Sequence, residues 1–275
     1  MSTILVTGGS GFIGGALAAA LKTAGHDVVC IGRHKPVADV GFVKGDFTAF
    51  EDLIRLDGWR FDAAVHLAAV TGGCSERDGI LVNVEGSRTL MRYLLDRGCR
   101  KLVMASSIAA VGFQSVRFRP VALPVTEEHP CLDRDGYGFS KFLMEQVTRY
   151  YARQHDDLDV LNLRLASIYD EARPGAFYQP RPVHAWALGA ATQMSRKECV
   201  RLLILAVASP RRPGCRVMNA VAPRVYAARP VPELLCAWYP ELSLDLSFYE
   251  RPGQEMASLF DASRVREAFG FVAEA

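Results

Sequence analysis

The run Thr7-Gly8-Gly9-Ser10-Gly11-Phe12-Ile13-Gly14 constrains this chain more than any other stretch. It follows the β-branched segment Thr3–Thr7, which reads as a strand, and opens the Ala- and Leu-rich segment Phe12–Ala24, which reads as a helix. Glycines at 8, 11 and 14 allow a tight turn, let an anion approach the backbone, and let the helix pack closely on the strand. Free amides at the helix start then face that anion. The competing reading is a plain strand-to-helix turn, which the rest of the sequence disfavours.

Strand-like and helix-like segments continue to alternate. Asp27–Ile31, Ala63–Leu67, Lys101–Ala105 and Asp159–Leu165 read as strands. Arg77–Arg97, with Leu81, Val84, Leu90 and Leu94 at helical spacing, and Tyr137–Gln154 read as helices. Such alternation predicts βαβ units and a parallel sheet covered on both faces. The expected fold is α/β, a Rossmann-type doubly wound parallel sheet. The rhythm breaks near Ala166, and eight prolines fall between Pro174 and Pro232. Met194–Ala208 still reads as a helix and Arg216–Ala220 as a short strand. A dinucleotide-binding domain is therefore expected over 1–165. A small irregular C-terminal substrate lobe is expected over 166–275, with segments returning to the main sheet.

A chain of 275 residues can bury a core without staples. Its net charge of +2 argues for no nucleic acid and no membrane surface as partner. The apolar run Leu202–Ala208 is too short to span a bilayer, and Ala16–Leu21 lacks the basic flank of a signal peptide. The seven cysteines are scattered, with no C-x-x-C pair. They point to a reducing cytoplasm and to neither disulfides nor a metal site.

The end of the second strand bears on the choice of dinucleotide. An acid there would receive a ribose 2′-hydroxyl. Asp27 lies at the wrong end of the strand, whose exit is Gly32-Arg33-His34-Lys35. Arg33 suits a 2′-phosphate, so NADP is favoured and NAD is possible. A solvated basic loop is the competing reading.

These residues, with several downstream segments, resemble the extended and atypical short-chain dehydrogenase/reductase family, the NAD-dependent epimerase/dehydratase group. The resemblance is good over about residues 3–170 and weak beyond. Asp46-Phe47 looks like the family's adenine contact. His66-Leu67-Ala68-Ala69 looks like its fourth-strand motif and Asn83-Val84-Glu85-Gly86 like its helix motif. Ala105-Ser106-Ser107 with Gly112 resembles the catalytic serine strand, and Tyr137-Gly138-Phe139-Ser140-Lys141 matches Y-x-x-x-K. Phe260 to Phe271 resembles the closing helix. The resemblance implies cofactor contacts at Gly8, Gly11, Phe12, Ile13, Gly14, Arg33, Asp46, Phe47, Leu67, Ala68, Ala69, Asn83, Tyr137, Lys141 and Ser167. It also implies a homodimer through the two long helices.

Tyr137 and Lys141 lie four residues apart, so a helix puts them on one face. A nearby ammonium is expected to bring the phenol down from about 10 toward working pH. Ser107, at a strand's carboxyl end, can hydrogen-bond a substrate oxygen, while Ser106 reads as a supporting neighbour. Asn83 either orders its helix through a bound water or merely sits within it. Ile108 and Ala109 follow Ser107 where the family's dehydratases carry an acid pair, so dehydration is rejected. An NADP-dependent reductase or dehydrogenase acting on a sugar-like or small carbonyl substrate is the leading expectation. The alternative is an NAD(P)-dependent sugar or sugar-nucleotide epimerase. A non-catalytic NADP sensor would not need Ser107, Tyr137 and Lys141. The step Arg164 to Ser167 and the short lobe also look somewhat like uronate dehydrogenases, and the serine strand is similar to that of flavonol and steroid reductases. Arg173, Arg181 and Arg196 read as solvated charges that could bind an anionic substrate. His184 and Trp186 read as pocket lining or core packing. Met194 to Glu198 replaces the family's usual aspartate-rich segment.

Overall fold

The computed structural model describes residues 1–171, 187–241 and 243–274. The expectations for Arg173, Arg181, His184 and Trp186 lie outside the described residues. Strand β1 (Thr3–Thr7) leads into helix α1 (Phe12–Thr23), then β2 (Asp27–Gly32), β3 (Gly41–Lys44), the one-turn α2 (Phe50–Leu53) and β4 (Ala63–His66). A continuous helical run follows: α3 (Glu76–Asp78), a π-helical stretch over Gly79–Gly86, and α4 (Ser87–Asp96). Next come β5 (Lys101–Ser107), α5 (Gly136–Gln154), β6 (Asp159–Leu165) and β7 (Ser167–Tyr169). The described chain continues with α6 (Ala187–Ala191), β8 (Gln193–Ser195), α7 (Arg196–Ala208), β9 (Gly214–Ala220), α8 (Val231–Trp238) and α9 (Ser263–Phe269).

Among the described residues, seven strands form one sheet in the order β3-β2-β1-β4-β5-β6-β9, and every pairing is parallel. The chain steps outward from β1 to β3, then returns to place β4 on the other side of β1. That reversal opens a crevice at the carboxyl ends of β1 and β4, where open α/β sheets receive ligands. Strands β7 and β8 form a separate parallel pair.

Successive residues of β1 serve opposite faces. Ile4 and Val6 join Leu17 and Leu21 of α1 and Leu202 and Leu203 of α7 in one core. Leu5 joins Leu90 and Leu94 of α4 and Met144 of α5 in the other. With both faces covered, the inner strands are buried along nearly their whole length, and the polar side chains among them, such as Asn162 and Arg164 of β6, are hydrogen-bonded inside the fold. Each buried leucine contributes roughly 1.5–3 kcal/mol.

Two expectations need correction, and one strand is added. Met194 lies in β8, and the helix begins only at Arg196. Ser195 caps it, its hydroxyl accepting from the Glu198 amide at 3.1 Å. The Arg77–Arg97 segment is helical but changes to π winding at Gly79–Gly86. There Gly86 lies against Phe47 and Thr48, and a Cβ would come within 2.6 Å of Thr48 Cγ2. Strand β3 had no sequence signal, being four residues long with glycine at its start.

Candidate active site

The turn between β1 and α1 fits a pyrophosphate. Gly8 has φ +73°, and a Cβ on it would lie 2.8 Å from the Ala68 amide nitrogen. A Cβ on Gly14 would overlap the Gly8 carbonyl oxygen. Glycine is thus required for the turn itself and for its packing. Gly11 caps α1 with no side-chain hydrogen bond, so no side chain competes for the amides of Phe12, Ile13 and Gly14. Leu67, Ala68 and Ala69 continue from β4 directly beside this turn.

Buried side chains pin the crevice from below. Ser87 Oγ donates to the Asn83 carbonyl at 2.5 Å and lies 2.9 Å from His66 Nε2. His66 Nε2 must then donate, which leaves Nδ1 to accept from Thr7 Oγ1 at 2.7 Å. Thr7 Oγ1 in turn accepts from the amides of Leu67 and Ala68 at 3.2 and 3.1 Å. Burial pulls His66 down to about 3, as this neutral tautomer requires.

Tyr137 and Lys141 rise from the first turns of α5. Asp135 caps that helix, its Oδ1 accepting from the amides of Tyr137 and Gly138 at 3.0 and 2.9 Å. Gly138 lets the helix approach the turn that follows β5, since a Cβ would lie 2.5 Å from the Ala109 oxygen. Lys141 is buried, and its ammonium donates to the Ala105 carbonyl at 2.7 Å. That ammonium lies 5.7 Å from the centre of the Tyr137 ring. Burial brings Lys141 down to about 8, against opposition from Glu145 and Cys74.

The phenol does not behave as expected. Burial pushes Tyr137 up to about 12; Cys74 and Asp135 add to the rise, and a hydrogen bond with Ser107 opposes it. Desolvation dominates in this arrangement, so Tyr137 is held as an acid. Ser107 ends β5, its Oγ accepting from the Ala109 amide at 3.1 Å. Its own proton remains to serve Tyr137 or a substrate oxygen. Cys74, in the loop after β4, acts electrostatically on both Tyr137 and Lys141. Nothing in its local sequence signals this position.

Other candidates fall around this centre. Asn83 is buried and braces two segments: its amide and carbonyl meet the Val70 backbone, each at 2.9 Å, and its amide also donates to Ser140 Oγ at 2.9 Å. Phe47 lies edge-on to His66, ring centres 5.0 Å apart, and Asp46 Oδ1 accepts from Thr48 N at 2.9 Å. Arg33 is exposed just past the carboxyl end of β2. Ser167 is further out, donating to the Gly189 carbonyl at 2.9 Å. Arg196 is half-buried rather than solvated. Sequence reading also missed a buried cluster behind the site. Ser106 donates to Glu145 at 2.6 Å, and Glu145 is paired with Arg164 of β6.

No helix among the described residues is long and apolar enough to cross a membrane. Among them there is also no His, Cys, Asp or Glu cluster suited to a metal ion.

Residues 4–229 match the model of the NAD dependent epimerase/dehydratase family. UDP-glucose 4-epimerase 4 of Oryza sativa subsp. japonica is 31% identical over 183 residues, 59% of this chain and 48% of the relative. UDP-glucose 4-epimerase of Azospirillum brasilense is 31% identical over 211 residues, 73% of this chain and 57% of the relative. The chain thus spans about half the length of these curated relatives. Among solved structures, the UDP-glucose 4-epimerase of Bifidobacterium longum in complex with NAD+ and UDP superposes with a TM-score of 0.74 at 20% identity, over 100% of this chain and 94% of the other. A short-chain dehydrogenase/reductase superfamily protein of Agrobacterium tumefaciens with bound NAD gives 0.73 at 23% identity, over 99% and 93%. Both support the fold. With its glycine turn, parallel sheet and Tyr137-to-Lys141 motif in the family's order, the chain belongs to the NAD dependent epimerase/dehydratase family.

Proposed function

We propose that the chain is an NAD(P)-dependent epimerase acting on a sugar or sugar nucleotide. The observation that carries this reading is the similarity to UDP-glucose 4-epimerases, 31% identical over 59% and 73% of this chain. The expectation had led with a reductase, and the relatives favour the alternative. The turn at Gly8 to Gly14 would hold the dinucleotide's pyrophosphate, with Asp46 and Phe47 toward its adenine. Bound there, the dinucleotide would supply a reversible hydride acceptor for a substrate carbon.

The proton steps fall to the chain. Tyr137 takes the proton of a substrate hydroxyl and later returns it. A phenol held near 12 must first be lowered. Protonated Lys141 and the Ser107 hydroxyl are the groups placed to favour the phenolate. Ser107 also keeps the substrate oxygen within reach. Thr7, His66 and Asn83 touch none of the reacting atoms and hold the crevice in shape. Pairing of two copies through α4 and α5, where Tyr150 is exposed on the single chain, belongs to the same reading.

A second reading is an NADP-dependent reductase or dehydrogenase. It is favoured by Arg33, which stands past β2 where a 2′-phosphate would be met, among the described residues with no carboxylate paired to it. Incubation with UDP-glucose and catalytic NAD(P) separates the two. The 4-epimer formed with no net change in cofactor absorbance at 340 nm, the usual nicotinamide band, supports the epimerase on a sugar nucleotide. Stoichiometric conversion of cofactor supports the dehydrogenase. Absence of dinucleotide binding refutes both.

A further inference from the structure

Arg196 opens α7 far along the chain from the glycine turn, yet it reaches that turn. Its guanidinium carbon lies 4.8 Å from the centre of the Phe12 ring, and Nη2 lies 3.1 Å from Asp170 Oδ1. Phe12 is the first residue of α1, is 45% exposed, and its amide belongs to the turn that no side chain caps. The guanidinium therefore sits on the side chain of the first residue of the helix whose free amides would receive an anion. Neither the first nor the last turn of α1 explains the arginine, since α1 carries no acidic residue in its first turn.

The arginine is also fixed in place. Ser195 caps α7 and so sets the backbone, Phe12 supports one face of the guanidinium, and Asp170 takes one of its edges. A guanidinium has five N–H donors. Among the described residues Nε and Nη1 hold no hydrogen bond, so the fork keeps donors for a ligand. Its rotamer freedom is already lost, which lowers the entropy cost of gripping an anion. Asp170 offsets the charge while no ligand is bound, and a pyrophosphate carries more charge than one carboxylate.

We propose that Arg196 is a pyrophosphate-binding residue of the nucleotide cleft, closing from the α7 side on the anion that α1 receives from the other. The proposal rests on the reading of the glycine turn as a dinucleotide site. A pyrophosphate can come from the dinucleotide or from a sugar nucleotide, and the test separates them. ADP-ribose, NADH and UDP are titrated by calorimetry into the full chain and into Arg196→Gln and Arg196→Lys.

Loss of about tenfold in ADP-ribose and NADH affinity, partly restored in Arg196→Lys, supports the proposal with the cofactor as source. Loss for UDP alone supports it with the substrate as source. Unchanged binding of all three in Arg196→Gln overturns it and leaves the dinucleotide reading intact. Wild-type chain that binds neither ADP-ribose nor NADH sinks the dinucleotide reading itself, and the proposal with it. Should Arg196→Gln fail to fold, Asp170→Asn removes the competing carboxylate. Severalfold tighter ADP-ribose binding then supports the proposal, and unchanged or weaker binding overturns it.

Discussion

Glu145 grips Arg164 with both carboxylate oxygens, meeting Nε and Nη2 at 2.9 Å each, and neither side chain is more than 2% exposed. Ser106 adds a third bond from the strand that carries Ser107. The pair therefore ties α5, β5 and β6 together behind the candidate active site. Breaking one side strands a buried charge, so Glu145→Ala is expected to cost about 3–5 kcal/mol in a denaturant melt. Replacing both partners with Glu145→Leu and Arg164→Met should cost clearly less. Equal losses in the two proteins would contradict this account.

Gly14→Ala puts a methyl group against the Gly8 carbonyl, and backbone cannot yield as a flexible side chain would. NADH affinity is expected to fall at least tenfold, with about 1–3 kcal/mol of strain visible in the melt. Undiminished NADH binding would mean that the cradle holds something else.

Tyr137→Phe keeps the ring and removes the proton carrier. Turnover should drop by about 10²–10⁴, while NADH binding changes little. Retained turnover in steady-state assays would move the proton chemistry to another group.

Arg33→Ala should weaken NADPH by about 1.5–3 kcal/mol, the range for hydrogen bonds to a charged group, and leave NADH unaffected. Equal effects on the two dinucleotides would return Arg33 to an ordinary surface charge.

His66 makes the fold sensitive to acid. The free side chain titrates near 6.5, but burial holds it near 3 in the folded chain. Between those values the unfolded chain takes a proton that the folded chain refuses. Stability should therefore fall as pH drops from about 6.5 to about 3, by up to about 1.4 kcal/mol per pH unit. Lys141, brought down from 10.5 to about 8, makes stability rise across that alkaline window by the same logic. Urea melts across both ranges check this, and His66→Gln should flatten the acid limb.

The parts of this site that were legible in sequence are those set by short-range geometry. Glycine spacing defines the turn, and a four-residue step places Tyr137 and Lys141 together. The strand ends fell within a residue or two wherever an apolar run met glycine or a polar break. Capping chemistry before Tyr137 was also available in sequence, because Asp135 precedes a Gly-Tyr-Gly start. Long-range contacts were not. Nothing near Arg196 announces Phe12, and nothing near Glu145 announces Arg164. The raised Tyr137 was missed for a related reason: spacing reveals a neighbouring ammonium but not how much water the fold removes.

The sheet is assembled outward from a strand at its middle. β6 has β5 on one side and waits for β9 on the other, across a connection that runs from Leu165 to Gly214. β1 with β4 and β5 with β6 close connections of similar length, so all three of these parallel pairings form late, after long loops have closed. During that delay β6 offers an open row of backbone donors and acceptors beside apolar side chains, a template for strands of other molecules. Refolding yield should consequently depend on protein concentration, and dilution should favour the native chain over aggregates.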